Sequence, residues 1–200
     1  KSYKNIKEFD EIISDKRIDS FLIGPGLNIN QYSINKIKSL FKTNKNIVLD
    51  AGAISNFKGK LNTLKNIIYG KNVVITPHEG ELRSILPNLK GNCIDKALKA
   101  ASELNCIVVL KGATTVIASP DNKAIVNCAG AKWLATAGSG DVLAGIICGT
   151  LSNKMDSFLA SAFSVWMHSE IGNYLGPGLV AEDIPENINL IYKKLLKTNI

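Results

Sequence analysis

A glycine-rich turn directly before an apolar segment is the strongest chemical signal in the sequence. Its residues are Gly138, Ser139, Gly140 and Asp141, and the run VLAGII follows. Glycine lets the backbone approach an anion closely, and a helix N-terminus carries roughly half a positive charge. Asp141 adds a carboxylate that can accept a proton. The turn indicates phosphoryl transfer to a hydroxyl, although Asp or Ser in this position is also a common helix cap.

Other polar groups follow short apolar runs elsewhere in the chain. They are Gly24 and Gly26, Asp50, His78, Glu81, and the stretch of Lys111, Gly112, Ala113, Thr114 and Thr115. Taken alone, each has an ordinary structural explanation. Glycine and aspartate form turns, an isolated histidine is usually structural, and a first-turn glutamate is usually solvated. The second histidine, His168, is assigned no role.

The apolar runs predict a parallel sheet. Residues 21–23, 47–49, 73–75 and 107–110 are apolar on both faces, as in central strands covered by helices. Helical spacing over residues 29–41, 61–69 and 94–104 connects them in βαβ fashion. Because ligands bind outside the carboxyl ends of such strands, the polar groups that follow them are the candidate site.

The rest of the chain predicts a hairpin and three helices. Residues 114–118 and 123–126 flank the turn sequence SPDN, which is typical of a hairpin. Helices are predicted over 141–151, 155–174 and 185–196. Asp183 is the expected cap of the last helix, with Glu186 three residues later.

Composition favours one globular domain, residues 1–200, without linker or repeat. The chain has 200 residues, of which 46% are hydrophobic and 20% charged. The net charge of +7 favours anionic partners, but dispersed lysines and only 6% aromatic residues argue against nucleic acid. We expect a cytoplasmic protein without membrane contact, because no leader or spanning segment is evident. Four cysteines without metal-binding spacing predict buried thiols, namely Cys93, Cys106, Cys128 and Cys148.

Residues 134–145, LATAGSGDVLAG, closely resemble the signature of the NAD(P)H-hydrate dehydratases of the ribokinase-like superfamily. Further matches follow in the same order over nearly the whole chain: IGPGL (23–27), VLDA (48–51), ITPHEGE (75–81), VLKGA (109–113) and AEDI (181–184). The resemblance implies a three-layer α/β/α fold with a mostly parallel sheet. It also implies repair of hydrated NADH and NADPH, of the S epimer, using ATP or ADP. Phosphorylating the hydroxyl creates a good leaving group, and loss of phosphate restores the dihydronicotinamide.

The resemblance also assigns roles to individual residues. Asp141 is the base, assisted by charge stabilisation from Gly138, Ser139 and Gly140. Gly26, His78 and Asp141 contact the hydrated nucleotide. The stretch Lys111, Gly112, Ala113, Thr114 and Thr115 binds the adenine nucleotide together with Gly140. Glu81 organises water around Mg²⁺.

The sequence departs from the family pattern in three places. Glu79 stands where the family usually has Pro, and residues 131–133 read AKW in place of Asn-Pro-Gly. Nothing before Gly24 resembles the family's first strand and helix, and residues 1–18 form a short charged lead-in. We therefore expect a truncated domain, or a pocket wall supplied by another segment. The family also implies a homo-oligomer and an epimerase partner or fused epimerase domain.

The same residues are also compatible with two other functions. The first is a ribokinase-like kinase acting on a sugar or vitamin precursor, which would share the phosphate loop but more often has Asn at the position of His78. The second is an inactive remnant that binds nucleotide without turnover.

Overall fold

A computed structural model describes residues 6–198, and its centre is a six-stranded sheet. The strands are β1 (Ser20–Ile23), β2 (Asn46–Leu49), β3 (Val73–Ile75), β4 (Ile107–Leu110), β5 (Thr115–Ala118) and β6 (Ala124–Asn127). They lie in chain order. Strands β1 to β4 are mutually parallel, β5 is antiparallel to β4, and β6 is antiparallel to β5. The predicted mostly parallel sheet and the predicted hairpin are both confirmed.

Helices connect and cover these strands. They are α1 (Ile6–Ser14), α2 (Gln31–Leu40), α3 (Gly52–Ser55), α4 (Leu61–Ile68), α5 (Glu79–Ile85), α6 (Cys93–Leu104), α7 (Ser139–Ser152), α8 (Ser157–Leu175), α9 (Asp183–Glu186) and α10 (Ile188–Thr198). A single 3-10 turn, Lys132–Leu134, precedes α7. Within residues 6–198, no helix combines the length and the apolar character needed to cross a membrane.

Alternation along the strands divides the core into two layers. Ile47 and Leu49 of β2 pack with the apolar faces of α1 to α6, whereas Val48 packs against α7 and α8. All three side chains are fully buried. A strand buried on both faces needs apolar residues at every position, which explains the unbroken apolar runs in the sequence. The result is the predicted three-layer α/β/α arrangement.

Three expectations about helix boundaries need correction. Part of the supposed charged lead-in is α1, whose Phe9 and Ile13 join the core. The predicted helix over 185–196 is two helices, because the side chain of Asn187 bonds back to the carbonyl of Asp183 (2.8 Å) and competes with the helical pattern. Asp183 lies inside α9 and is not its cap; its carboxylate accepts the Val180 amide (2.9 Å).

The expectation of four buried thiols is also wrong. Only Cys106 is buried, and burial raises its pKa to about 12. Cys148 is half-buried, whereas Cys93 begins α6 and Cys128 follows the outer strand β6, and both are exposed. Apolar neighbours in sequence do not bury a residue at a helix start or beyond an edge strand.

Candidate active site

The turn at residues 138–141, hereafter the anion turn, starts α7 as the sequence predicts. Gly138 caps the helix with φ of 85°, in the left-handed region that favours glycine. The Ser139 amide bonds to the Thr136 carbonyl (3.3 Å), and the helical pattern resumes with the Val142 amide on the Gly138 carbonyl (3.0 Å). Between them, the amides of Gly140 and Asp141 have no acceptor within residues 6–198. The turn therefore offers unpaired donors to an anion.

Asp141 can be compared with two other acids at the third position of a helix. Glu81 in α5 and Asp95 in α6 each accept the backbone amide of their own cap residue, which completes a capping box. Asp141 makes no such bond to Gly138, and its exposed side chain has no hydrogen bond or ion pair within the described part of the chain. Capping therefore does not explain Asp141, and its carboxylate is free to accept a proton.

A buried ion pair joins the ends of three parallel strands. Asp50 follows β2, Thr76 follows β3 and Lys111 follows β4; we call them the strand-end cluster. Asp50 is fully buried, and its Oδ1 accepts hydrogen bonds from Lys111 Nζ (2.6 Å) and Thr76 Oγ1 (2.7 Å). Asp50 Oδ2 has no partner among the described residues. Sequence reasoning left Asp50 as a turn-former, whereas the structure shows it anchoring Lys111.

Lys111 connects the strand-end cluster to the anion turn. A Cβ added at Gly140 would lie 3.3 Å from Lys111 Nζ, so the ammonium is directly beside the turn. The Lys111 amide donates to the Pro77 carbonyl (2.8 Å), and Lys111 pairs with His78 in an isolated parallel bridge. A fixed positive charge thus lies against the unpaired amides at the start of α7. Such an arrangement stabilises negative charge on a transferred phosphoryl group.

The residues after Lys111 form the turn from β4 into β5. Gly112 and Ala113 are exposed, and Thr114 and Thr115 are half-buried. Thr115 Oγ1 lies 3.4 Å from the Gly112 carbonyl, and Thr115 begins β5. Of the stretch predicted to bind the adenine nucleotide, Gly112 and Ala113 therefore face solvent, whereas Thr114 and Thr115 lead back into the sheet.

His78 and Glu81 are engaged with each other at the start of α5. His78 Nδ1 accepts the amides of Gly80 (3.0 Å) and Glu81 (3.3 Å), and Glu81 Oε2 accepts the His78 amide (2.9 Å). Because Nδ1 is an acceptor, the neutral ring carries its proton on Nε2. The His78 side chain is 62% exposed, whereas that of Glu81 is 11% exposed. His78 can therefore meet a ligand through its outer edge, while the Glu81 carboxylate is largely used as a cap.

The loop after β1 packs on the backbone of Asp50. Gly24 has φ of 141°, and a Cβ there would lie 1.7 Å from the Asp50 carbonyl oxygen. Gly26 has φ of 69°, but a Cβ there would meet nothing within 4 Å. Gly24 is therefore required for close packing, whereas Gly26 is required only for its backbone conformation and faces open space. The strand order brings this loop beside the strand-end cluster.

Sequence reasoning missed His168, which contacts the anion turn from α8. Its side chain is buried, and Nε2 lies 3.1 Å from both Oγ and the carbonyl oxygen of Ser139. Burial lowers the pKa of His168 to about 4; the charge of Lys111 acts in the same direction, and the bond to the Ser139 carbonyl opposes it. The ring is therefore neutral at neutral pH. A histidine in an apolar helix gives no sequence signal for this contact, which depends on how α8 crosses α7.

Known proteins resemble this chain in both sequence and fold. The family model described as NAD(P)H-hydrate dehydratase matches residues 2–187. The ADP-dependent (S)-NAD(P)H-hydrate dehydratase of Neisseria meningitidis serogroup B is 30% identical over 202 residues, covering 94% of this chain and 68% of that protein. The bifunctional NAD(P)H-hydrate repair enzyme Nnr of Moorella thermoacetica is 34% identical over 163 residues, covering 78% of this chain and 30% of that protein.

Solved structures agree with this result. The ADP/ATP-dependent NAD(P)H-hydrate dehydratase of Bacillus subtilis, co-crystallised with ATP and Mg²⁺, has a TM-score of 0.78 and 25% identity, covering 93% of this chain and 69% of that chain. A hydroxyethylthiazole kinase of Pyrococcus horikoshii has a TM-score of 0.71 at 18% identity, which supports the fold alone. The chain spans 30% of the Moorella protein and 68% of the Neisseria protein.

Proposed function

The chain belongs to the NAD(P)H-hydrate dehydratase family, and we propose that it is a nucleotide-dependent dehydratase that repairs hydrated NADH and NADPH. One observation carries the proposal. Lys111 Nζ lies beside Gly140, at the unpaired amides of the anion turn. The residue after Gly140 is Asp141, whose carboxylate does not cap the helix. A charged donor set with an adjacent free base suits phosphoryl transfer to a hydroxyl.

The proposed reaction has two steps. Asp141 removes the proton of the substrate hydroxyl while that oxygen attacks the terminal phosphorus of ATP or ADP, and the bond to the bridging oxygen breaks. Lys111 and the anion turn stabilise the charge on the transferring group. The carbon–oxygen bond of the resulting ester then breaks, phosphate leaves with the bonding electrons, and loss of a ring proton restores the dihydronicotinamide. A positioned general base contributes about 10²–10⁴-fold to such a step.

The nucleotide and Mg²⁺ are proposed to arrive together. Within residues 6–198, no group of three or more His, Cys, Asp or Glu side chains could hold a metal ion. This fits Mg²⁺, which commonly keeps several waters and binds substrate phosphates with one or two carboxylates. Glu81 would act through such water, since one of its carboxylate oxygens accepts the His78 amide. The charge neutralisation that Mg²⁺ gives to phosphates would add to that of Lys111.

Substrate contacts are proposed for His78 and Gly26. The His78 side chain is 62% exposed, and its Nε2 lies 3.7 Å from Glu81 Oε2, beyond hydrogen-bond distance, so the Nε2 proton can be donated to a carbonyl or hydroxyl of a ligand. Gly26 faces open space beside the same strand ends. A cytoplasmic location, a homo-oligomer and an epimerase partner stay predictions; the Moorella relative is bifunctional by name.

The decisive experiment supplies hydrated NADH, Mg²⁺ and ATP or ADP, and follows the absorbance of regenerated NADH. The unaltered chain should regenerate NADH, and Asp141→Asn should lower kcat by about 10²–10⁴-fold because the base is lost. Asp95→Asn is the matched control, since Asp95 holds the same helical position in α6 but completes a capping box. Because Asn keeps an oxygen that can accept the Asn92 amide and loses only a first-turn negative charge, this variant should reduce stability by about 0.3–1 kcal/mol and leave kcat unchanged.

Other outcomes would contradict the proposal in distinct ways. Accumulation of a stable phosphorylated alcohol from a sugar or vitamin precursor, without NADH recovery, would identify a kinase. Nucleotide binding without turnover would identify a binding remnant. Full activity of Asp141→Asn would show that Asp141 is not the base.

A further inference from the structure

Helices α7 and α8 share one polar side-chain contact near each end of α7. At the start, His168 Nε2 meets Ser139 Oγ and the Ser139 carbonyl oxygen, both at 3.1 Å. Towards the other end, Ser164 Oγ lies 3.1 Å from Thr150 Oγ1, while its hydroxyl also reaches the Ala160 carbonyl of its own helix (2.7 Å). Apolar packing fills much of the space between them, as in the cluster around Ala144 and Ile147. The first contact involves a residue of the anion turn, and the second lies remote from it.

The protonation state of His168 follows from its partners. A carbonyl oxygen only accepts hydrogen bonds, so the nitrogen 3.1 Å from the Ser139 carbonyl must carry the proton. Burial lowers the pKa of His168 to about 4, so the ring donates as a neutral group. A neutral donor holds the turn without placing a second cation near Lys111, whose charge would repel it.

Ser139 is the residue through which this bond would act. It is buried and is the first residue of α7, between Gly138 in the left-handed region and the unpaired amide of Gly140. Its own amide makes a long bond to the Thr136 carbonyl (3.3 Å), which is a weak restraint. The side chain of His168 therefore supplies the tertiary contact that fixes Ser139, and with it the direction of the following amides.

We propose that His168 is a positioning residue for phosphoryl transfer: its Nε2 proton fixes Ser139 so that the amides of Gly140 and Asp141 stay aimed at the transferred group. The inference rests on the proposed function, since it assigns the role of these amides in that reaction. His168 does not touch the substrate in this role. Small displacements of catalytic groups have large kinetic effects, up to about a hundredfold for 1 Å.

The test compares three variants of the chain in the NADH-regeneration assay and by amide hydrogen exchange of the peptide covering residues 136–143. His168→Phe keeps a buried ring but loses the donor. His168→Gln restores an N–H that can reach the Ser139 carbonyl. Ser164→Ala is the matched control, because it removes the other polar contact between the same helices.

We expect His168→Phe to lower kcat by about tenfold to a hundredfold, with a much smaller change in the KM for ATP. Exchange in the 136–143 peptide should become faster. His168→Gln should recover most of the kcat and of the exchange protection, and Ser164→Ala should leave both unchanged. Urea unfolding of each variant gives the folded fraction, so that a loss of kcat can be corrected for unfolded protein.

Three results would overturn the inference: unchanged kcat and exchange in His168→Phe, a kcat loss fully explained by its unfolded fraction, or a His168→Gln variant as impaired as His168→Phe. Failure of the proposed function looks different, because the unaltered chain would then not regenerate NADH at all. The exchange comparison still decides in that case. Faster exchange in His168→Phe, reversed in His168→Gln, supports the positioning role, and equal exchange in all variants refutes it.

Discussion

The two sides of the candidate site are built differently. The side that we propose binds phosphate, here called the phosphate side, consists of Lys111, Asp50 and the anion turn. Asp50 is fully buried, Lys111 Nζ lies 2.6 Å from its Oδ1, and the same Nζ lies beside Gly140 of the anion turn. The side that we propose contacts the substrate, here called the substrate side, consists of His78 and the loop after β1. The His78 side chain is 62% exposed, and Gly26 in the loop faces open space. The phosphate side therefore has its charges preorganised, whereas the substrate side offers a fixed backbone with few fixed side chains.

This difference fits the function that we propose for each side. Stabilising a transferred phosphoryl group requires donors that do not reorganise during the reaction, and burial in the fold provides that rigidity. Recognising a large hydrated nucleotide requires access, which an exposed ring and an open loop allow. The contrast predicts that substitutions on the phosphate side cost more stability than those on the substrate side, apart from positions where the backbone itself is packed.

The largest effect is expected for Lys111→Met, which breaks the buried ion pair from one side. Asp50 would keep a buried negative charge, and its Oδ2 already lacks a partner within the described residues. Removing one member of a buried pair typically costs about 3–5 kcal/mol. The free energy of unfolding in urea should fall by about that amount.

A double variant tests the reason for this loss. Asp50→Asn combined with Lys111→Met leaves no buried charge and nearly the same shape, so it should recover most of the lost stability. If the double variant is as unstable as Lys111→Met, the lysine stabilises the protein through packing, and the phosphate side is less dependent on charge than the structure indicates.

A smaller effect is expected for Gly24→Ala on the substrate side. The new Cβ would lie 1.7 Å from the Asp50 carbonyl oxygen, so the loop or β2 must move. Overpacking of this kind costs about 1–3 kcal/mol, measured as a change in the free energy of unfolding. Because the loop packs on the backbone of Asp50, this variant also tests whether moving the loop on the substrate side displaces residues of the phosphate side.

Gly26→Ala is the control for Gly24→Ala. Gly26 also has positive φ, but its Cβ would meet nothing within 4 Å, so only the backbone penalty of about 1 kcal/mol remains. Equal losses for the two variants would show that backbone conformation dominates and that the close approach of Gly24 to Asp50 is relieved without cost.

The sheet and the start of α7 could be predicted from the sequence because both depend on local patterns. Unbroken apolar runs identified β1 to β4, and glycines before an apolar segment identified the start of α7. The break at Asn187 was missed because it depends on one side chain competing with the helix. Helix α1 was also missed, although its apolar residues Phe9 and Ile13 have helical spacing, because its charged residues were interpreted as a solvated lead-in.

Contacts between distant elements were the main part of the site that sequence could not supply. The partner of Asp50 is 61 residues away, and that of Ser139 is 29 residues away on another helix. Nothing local distinguishes a turn-forming aspartate from one that holds a lysine. The sequence likewise could not distinguish Glu81, which caps its helix, from Asp141, which does not.

The smallest effect on stability, and the sharpest test of the substrate side, is expected for His78. His78→Ala removes the cap of α5 and should cost about 1 kcal/mol, whereas His78→Asn keeps a side-chain oxygen for the same amides and should cost much less. Both lose the Nε2 proton. If that proton contacts the substrate, both variants should raise the KM for hydrated NADH by up to about tenfold, as expected for one net hydrogen bond. An unchanged KM in His78→Asn would mean that His78 serves only as a cap, and that the substrate side is recognised through its backbone loop.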